Sequence, residues 1–155
     1  MGPDLEKAIL ELSLKMRLLK VVQEENSPSE NPTERDIMIL KLLNERGKMS
    51  VSQIAAADPS ASDSTISTNI TKLWRDKNLV SKTISPKNQR TTIVELTEKG
   101  KKEIELINKQ QSERFNTLFH AINVTDDEKQ VLLKIIKRAI PFFDKHLGLD
   151  KSTTK

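Results

Sequence analysis

The chain has no cysteine and no tyrosine, only four phenylalanines and one tryptophan, and just four glycines and six prolines in 155 residues. The absence of thiols excludes disulfides, thiolate metal sites, thiol redox switches and cysteine nucleophiles together. So few aromatics leave no interleaved platform on which the bases of a single strand could stack, so any nucleic acid bound here is expected to be duplex. No run approaches the roughly 20 apolar residues of a bilayer span, and Met1-Gly2-Pro3-Asp4-Leu5-Glu6 carries neither a basic nor an apolar leader, so a soluble, cytoplasmic protein is expected. No Gly-rich phosphate loop, metal-ligand spacing or His-bearing triad is found, and His120 and His146 stand alone as surface or helix-end residues. Neither an enzyme nor a cofactor or metal is expected.

Scarce glycine and proline beside abundant Leu, Ile, Lys and Glu favour helices over sheet, and the length suits one compact domain or a small domain with appended helices. The net charge of +4 says little by itself, but its distribution says more. Residues 72–102 hold nine Lys and Arg against three carboxylates, net +6, which leaves −2 for the rest. A positive segment on a slightly acidic chain is what phosphate binding requires, although a solvated lysine-rich surface has the same composition.

Leu5, Ile9, Leu12, Met16 and Leu19 recur at helical steps and predict an amphipathic helix over 4–24, ended by the turn-rich segment Asn26-Ser27-Pro28-Ser29-Glu30-Asn31-Pro32. Thr33 reads as an N-cap with Asp36 three residues on, opening a second helix whose stripe is Ile37, Leu40 and Leu43 and whose end is Gly47. Ser50 caps a third helix through Val51, Ile54 and Ala55, which Asp58-Pro59 must break. A fourth runs from about Ser62 to Lys77, with Asn78 as a left-handed cap. The β-prone runs 80–84 and 91–96 flank Ser85-Pro86-Lys87-Asn88-Gln89-Arg90, a hairpin with a basic tip. Thr97 starts a long fifth helix with Ile104, Ile107, Phe115, Leu118, Phe119 and Ile122 on one side. Thr125-Asp126-Asp127-Glu128 is a capping box for a sixth helix through Val131, Leu132, Ile135, Ile136, Ala139 and Phe143, which Pro141 should kink or shorten. The polar residues 150–155 are expected to be a disordered tail.

Two short helices joined by a tight turn and followed by a basic hairpin define a mainly α fold with a winged helix-turn-helix at residues 32–97. With Ile66 of the fourth helix at 0°, the stripe of Ile66, Ile70, Leu73 and Trp74 centres near about 25°, and Ser64, Thr68, Thr71, Lys72 and Arg75 lie between about 140° and 240°. A helix needing only solubility exposes Glu and Lys, whereas this one exposes Ser and Thr, whose small hydroxyls let it lie deep in a major groove. The expected reading set is Ser62, Ser64, Thr65, Ser67, Thr68, Thr71, Lys72 and Arg75, with Lys72 and Arg75 on phosphates. At the wing, Lys87, Asn88, Gln89 and Arg90 are expected to reach DNA, Arg90 through the flanking minor groove.

In order and spacing, Ser64-Thr65-Ile66-Ser67, Leu73 with Asp76-Lys77-Asn78-Leu79-Val80, and Ile93-Val94-Glu95-Leu96-Thr97-Glu98-Lys99-Gly100 resemble the MarR family of winged-helix regulators across nearly the whole chain. The resemblance implies a homodimer reading successive major grooves of a pseudo-palindrome about 34 Å apart, with residues 1–31 and 98–149 as a helical dimerisation region. Leu5, Ile9, Leu12, Ile135, Ile136, Phe142 and Phe143 are expected at that interface, since the first, fifth and sixth helices hold more apolar residues than one thin layer buries. It also implies a small-molecule effector, of the kind many relatives bind between the dimer helices and the winged domain. Two departures matter. The family's wing often has an Asp-x-Arg pattern, whereas this chain has Asn88-Gln89-Arg90, so a looser wing is expected; and Thr68 stands where a basic residue is frequent. Asp58 and Asp63, beside the reading helix, are expected to weaken phosphate binding. The function read from sequence is therefore a double-stranded DNA-binding transcriptional regulator, with a winged-helix protein-interaction module as the alternative.

Overall fold

The structure is a computed structural model that describes residues 2–25 and 31–149. Most of the expected linker, 26–30, and the expected tail, 150–155, lie outside the described residues. The chain divides into two compact units, Met1–Thr33 and Glu34–Lys155.

The first unit holds α1 (Gly2–Glu25). Beside the expected stripe, Leu10, Leu14, Leu18 and Val21 form a second one about 170° away around the helix. The large apolar side chains of both stripes are 46–62% exposed in the single chain.

In the second unit, α2 (Glu34–Arg46), β1 (Met49–Ser50), α3 (Val51–Ala56) and α4 (Asp63–Arg75) precede the hairpin β2 (Val80–Ile84) and β3 (Thr92–Leu96). The long helices α5 (Glu98–Ala121) and α6 (Asp126–Leu147) follow. The caps expected at Ser50, Thr97 and Thr125 form. Ser50 and Gln53 make a reciprocal capping box, as do Thr125 and Glu128, while Thr97 caps α5 by accepting from the Gly100 N–H. Gly47 and Asn78 take φ of 78° and 56°, the left-handed conformation that ends α2 and turns the chain after α4.

The sheet has the order β1-β3-β2, all antiparallel, with Met49 opposite Val94 and Lys82 opposite Val94 from the other side. Sequence reading missed β1, because two residues carry no alternation; it is a strand only because β3 offers it a free edge. The core gathers Ile39, Leu40 and Leu43 of α2, Ile54 of α3, Ile66, Ile70 and Leu73 of α4, Val80 and Val94 of the hairpin, and Ile104 and Ile107 of α5. Ile37, expected in the stripe of α2, is half-buried at its margin, and Ile39 takes the central place. Pro141 does not shorten α6, which continues to Leu147: proline removes one backbone donor, and the i→i−4 bonds on either side hold the flanking turns. α6 buries none of its residues, and its large apolar side chains are 43–61% exposed.

Two polar links stitch the second unit together. The Asn69 side-chain amide on α4 donates to Asp36 on α2 at 2.8 Å, and Asp36 is fully buried. In the second link, Asp58, between α3 and α4, accepts from the Ser60 N–H and hydroxyl and from Arg35 of α2 at 3.1 Å. The Ser60 hydroxyl bond above all, then Arg35, holds the Asp58 carboxyl below its ordinary value of 3.8, against the upward push of burial. A carboxylate depressed on folding stabilises the fold above its unfolded value, and that stability is lost as pH falls through the folded one. In urea unfolding the stability contributed by this site is therefore expected to be present above about pH 3.8 and to be lost as pH falls below it, and Asp58→Asn should remove that part of the pH dependence. An unchanged pH profile in Asp58→Asn would discount the link.

Candidate nucleic-acid interface

The helix-turn-helix is α3 and α4, and the hydroxyl-bearing face expected on α4 forms. Ile66, Ile70 and Leu73 are buried, while Ser62, Ser64, Ser67, Thr68 and Arg75 are exposed and Thr65, Thr71 and Lys72 are half-buried. Ser62 is the N-cap. Its Oγ accepts from the Thr65 N–H at 3.2 Å and lies 2.8 Å from Thr65 Oγ1 and 3.1 Å from Ser64 Oγ. These three hydroxyls thus form a small network around the first turn, where free N–H groups and the helix dipole favour an anion. One turn on, Thr68 Oγ1 donates to the Ser64 carbonyl at 2.9 Å. With its proton so committed, this oxygen presents lone pairs to whatever lies against the helix.

Lys72 and Arg75 occupy the last turn. Asp76 lies 3.8 Å from the Arg75 guanidinium, but both side chains are well exposed, and such a pair is worth little in water, so the cation remains available to a phosphate. Trp74 is partly exposed, and the Lys82 ammonium of β2 sits 4.8 Å from its ring centroid, a cation–π contact between reading helix and wing.

Hydrogen bonds close the tip of the wing. Asn88 Oδ1 accepts from the Arg90 N–H at 3.0 Å, the Thr91 N–H donates to the Asn88 carbonyl at 2.9 Å, and the Ser85 N–H closes the loop on the Thr91 carbonyl at 2.8 Å. Asparagine therefore organises the tip through an Asx turn where an aspartate would have used an ion pair. Lys87, Asn88, Gln89 and Arg90 are all exposed.

Asp58 is corrected. It is 8% exposed and engaged by Ser60 and Arg35, so its charge is neutralised inside the protein and does not face a phosphate. Asp63 is exposed in the first turn of α4. Sequence reading missed the structural pairs Asp36–Asn69 and Arg35–Asp58. The available signal was Asn69 at about 300° on the wheel, flanking the core stripe, where a lone polar residue calls for a partner.

The seven residues expected at a dimer interface, Leu5, Ile9, Leu12, Ile135, Ile136, Phe142 and Phe143, are all exposed in the single chain. His120 and His146 lie exposed in the last turns of α5 and α6, and the His146 ring stacks on Phe142 with centroids 4.3 Å apart. No group of acids and histidines fit to hold a metal ion occurs among the described residues, and no helix there is long and apolar enough to cross a membrane.

Residues 33–100 match the winged helix DNA-binding domain family, and this stretch has the winged-helix fold. The chain as a whole has the fold of MarR-type regulators, as the sequence resemblance implied. A MarR protein from Peptoclostridium difficile superposes with a TM-score of 0.70 at 18% identity, covering 95% of this chain and 92% of that one. YusO of Bacillus subtilis gives 0.67 at 21% identity, with 91% and 99% covered. BpsR of Bordetella bronchiseptica, whose DNA binding is regulated by 6-hydroxynicotinic acid, gives 0.63 at 16% identity, with 86% and 98% covered. No curated protein matches the sequence.

Proposed function

We propose that the protein is a cytoplasmic, MarR-type transcriptional regulator that binds a pseudo-palindromic duplex operator as a homodimer. The observation carrying this reading is the exposed Ser and Thr face of α4, ending in Lys72 and Arg75, within a winged helix DNA-binding domain. Ser64, Ser67, Thr68 and Thr71 meet base edges and phosphates in the major groove, Lys72 and Arg75 neutralise phosphates, and Arg90 on its hydrogen-bonded tip enters the adjoining minor groove. Thr68, whose proton is held by Ser64, accepts from an exposed base amino group, adenine N6 or cytosine N4.

The apolar faces of α1, α5 and α6 support the dimer. A 22-residue α6 with no buried residue, and an α1 apolar on two opposite sides, belong to helices covered by other helices. A second copy supplies that cover. A small-molecule effector completes the reading by analogy with BpsR, whose DNA binding responds to an aromatic acid.

Binding to duplexes selected from a random pool is expected to weaken steeply with salt. Arg75→Ala should flatten the log–log slope by about 0.9, one phosphate contact, equally on all sequences. Thr68→Ala should instead change which bases are preferred at one position of each half-site. Fluorescence polarisation across a salt series measures both. Absence of duplex binding at low salt would end this reading in favour of a protein-interaction module.

A further inference from the structure

Three successive carbonyls just beyond α4 are all claimed by the start of α5. The Lys77 carbonyl accepts from Lys99 Nζ at 2.9 Å, the Asn78 carbonyl from the Thr97 hydroxyl at 2.7 Å, and the Leu79 carbonyl from the Thr97 N–H at 3.1 Å. Thr97 Oγ1 at the same time accepts the Gly100 N–H at 3.0 Å, so one hydroxyl both caps α5 and grips the chain leaving α4. Gly100 completes the contact. A Cβ there would overlap the Leu79 carbonyl oxygen and stand 3.1 Å from its carbon and 3.2 Å from Leu96 Cδ2, so only glycine lets α5 approach this closely.

We propose that Thr97 and Gly100 are positioning residues that fix the angle between α4 and α5 and thereby set how strictly the dimer measures the spacing between its two half-sites. The inference rests on the regulator reading above. α5 extends 24 residues from this joint, and most of it beyond Ile107 is exposed and available to a second copy, so a rotation at residues 77–79 against 97–100 swings the reading helix relative to the assembly. Changing the spacing by one base pair turns a half-site by about 35° and shifts it by about 3.4 Å. A joint held by three hydrogen bonds and a backbone contact passes that mismatch on to the DNA; a loosened one absorbs it. Neither residue needs to touch DNA for this.

The test uses the full chain and three variants, Thr97→Val, Gly100→Ala and Thr97→Ser. Each is titrated by fluorescence polarisation against a selected operator, the same operator with one base pair added or removed between half-sites, and a single half-site. The wild type should bind the respaced operators ~10-fold more weakly than the selected one. In Thr97→Val and Gly100→Ala the penalty should shrink to ~2–3-fold, with single-half-site affinity within ~2-fold of wild type, and Thr97→Ser, which retains the hydroxyl, should keep the wild-type profile. Equal losses on every duplex with the spacing penalty unchanged, or no change at all, overturn the proposal, as does a Thr97→Ser variant that behaves like Thr97→Val.

A second measurement needs no DNA. Spin labels are placed at Asp76→Cys and Lys109→Cys, which a chain without cysteine permits directly, in protein mixed with excess unlabelled subunits. The distance distribution should be narrow in the wild type and broader in the Thr97→Val background; equal widths overturn the joint. Should the wild type bind no duplex, the regulator reading falls and takes the spacing role with it, while the label distances still decide whether the joint is rigid.

Discussion

A carboxylate introduced at both Ile136 and Phe143 is expected to split the proposed dimer and to weaken operator binding by about 10²–10⁴-fold, the range lost when two linked sites become independent. Both side chains are exposed in the single chain, on a helix that buries none of its residues. Left in water, that helix would have little to hold it, since its capping box and left-handed Gly148 end contribute only local stability. Covering its apolar arc stabilises it more, and charges placed there lose hydration with no counter-ion to meet them. Light scattering should report half the wild-type mass, or an unfolding midpoint that falls steeply on dilution, as expected when no stable folded monomer exists. A double variant that stays dimeric and binds at wild-type strength would remove α6 from the interface.

The second large effect concerns the core behind the reading helix. Ile70→Ala should cost about 2–5 kcal/mol, because Ile70 is fully buried among side chains from several elements that do not collapse into the space left. Against a total of about 5–15 kcal/mol this is a large share, and the thermal midpoint should fall by roughly 10 °C. Ser64→Ala, about 1.7 turns away on the exposed face, should change stability by no more than about 0.5 kcal/mol. Scanning calorimetry on the two variants separates the faces of α4: equal losses would mean that the helix is seated differently from the arrangement described.

The elements of this fold were readable where one local signal decided them. Ser50, Thr97 and Thr125 mark helix starts because a hydroxyl before an apolar run has one main use, and Asn78 marks a turn because few side chains tolerate its φ. The polar face of α4 was equally legible, since burial of Ile66, Ile70 and Leu73 fixes what points the other way. The joins between elements were not. β1 exists through its pairing with β3, Asp36 reads as a helix-start residue until Asn69 is found against it, and Asp58 reads as a repulsive surface charge until Arg35 and Ser60 enclose it. Each depends on residues more than 20 positions apart or on a strand edge, and no local pattern encodes such a meeting. Asn88 fell between the two cases: its loss of charge was visible, but the Asx turn that replaces the ion pair depends on the backbone of Arg90.

The Lys82–Trp74 contact has an optical consequence. Trp74 is the one tryptophan, and there is no tyrosine, so the near-ultraviolet emission of the whole molecule arises from a single indole at the end of the reading helix. That indole is half open to water and lies under a cation carried by the wing, the two features to which its colour and brightness respond. The protein therefore carries an unlabelled gauge of its helix–wing geometry, free of background from any other part of the chain.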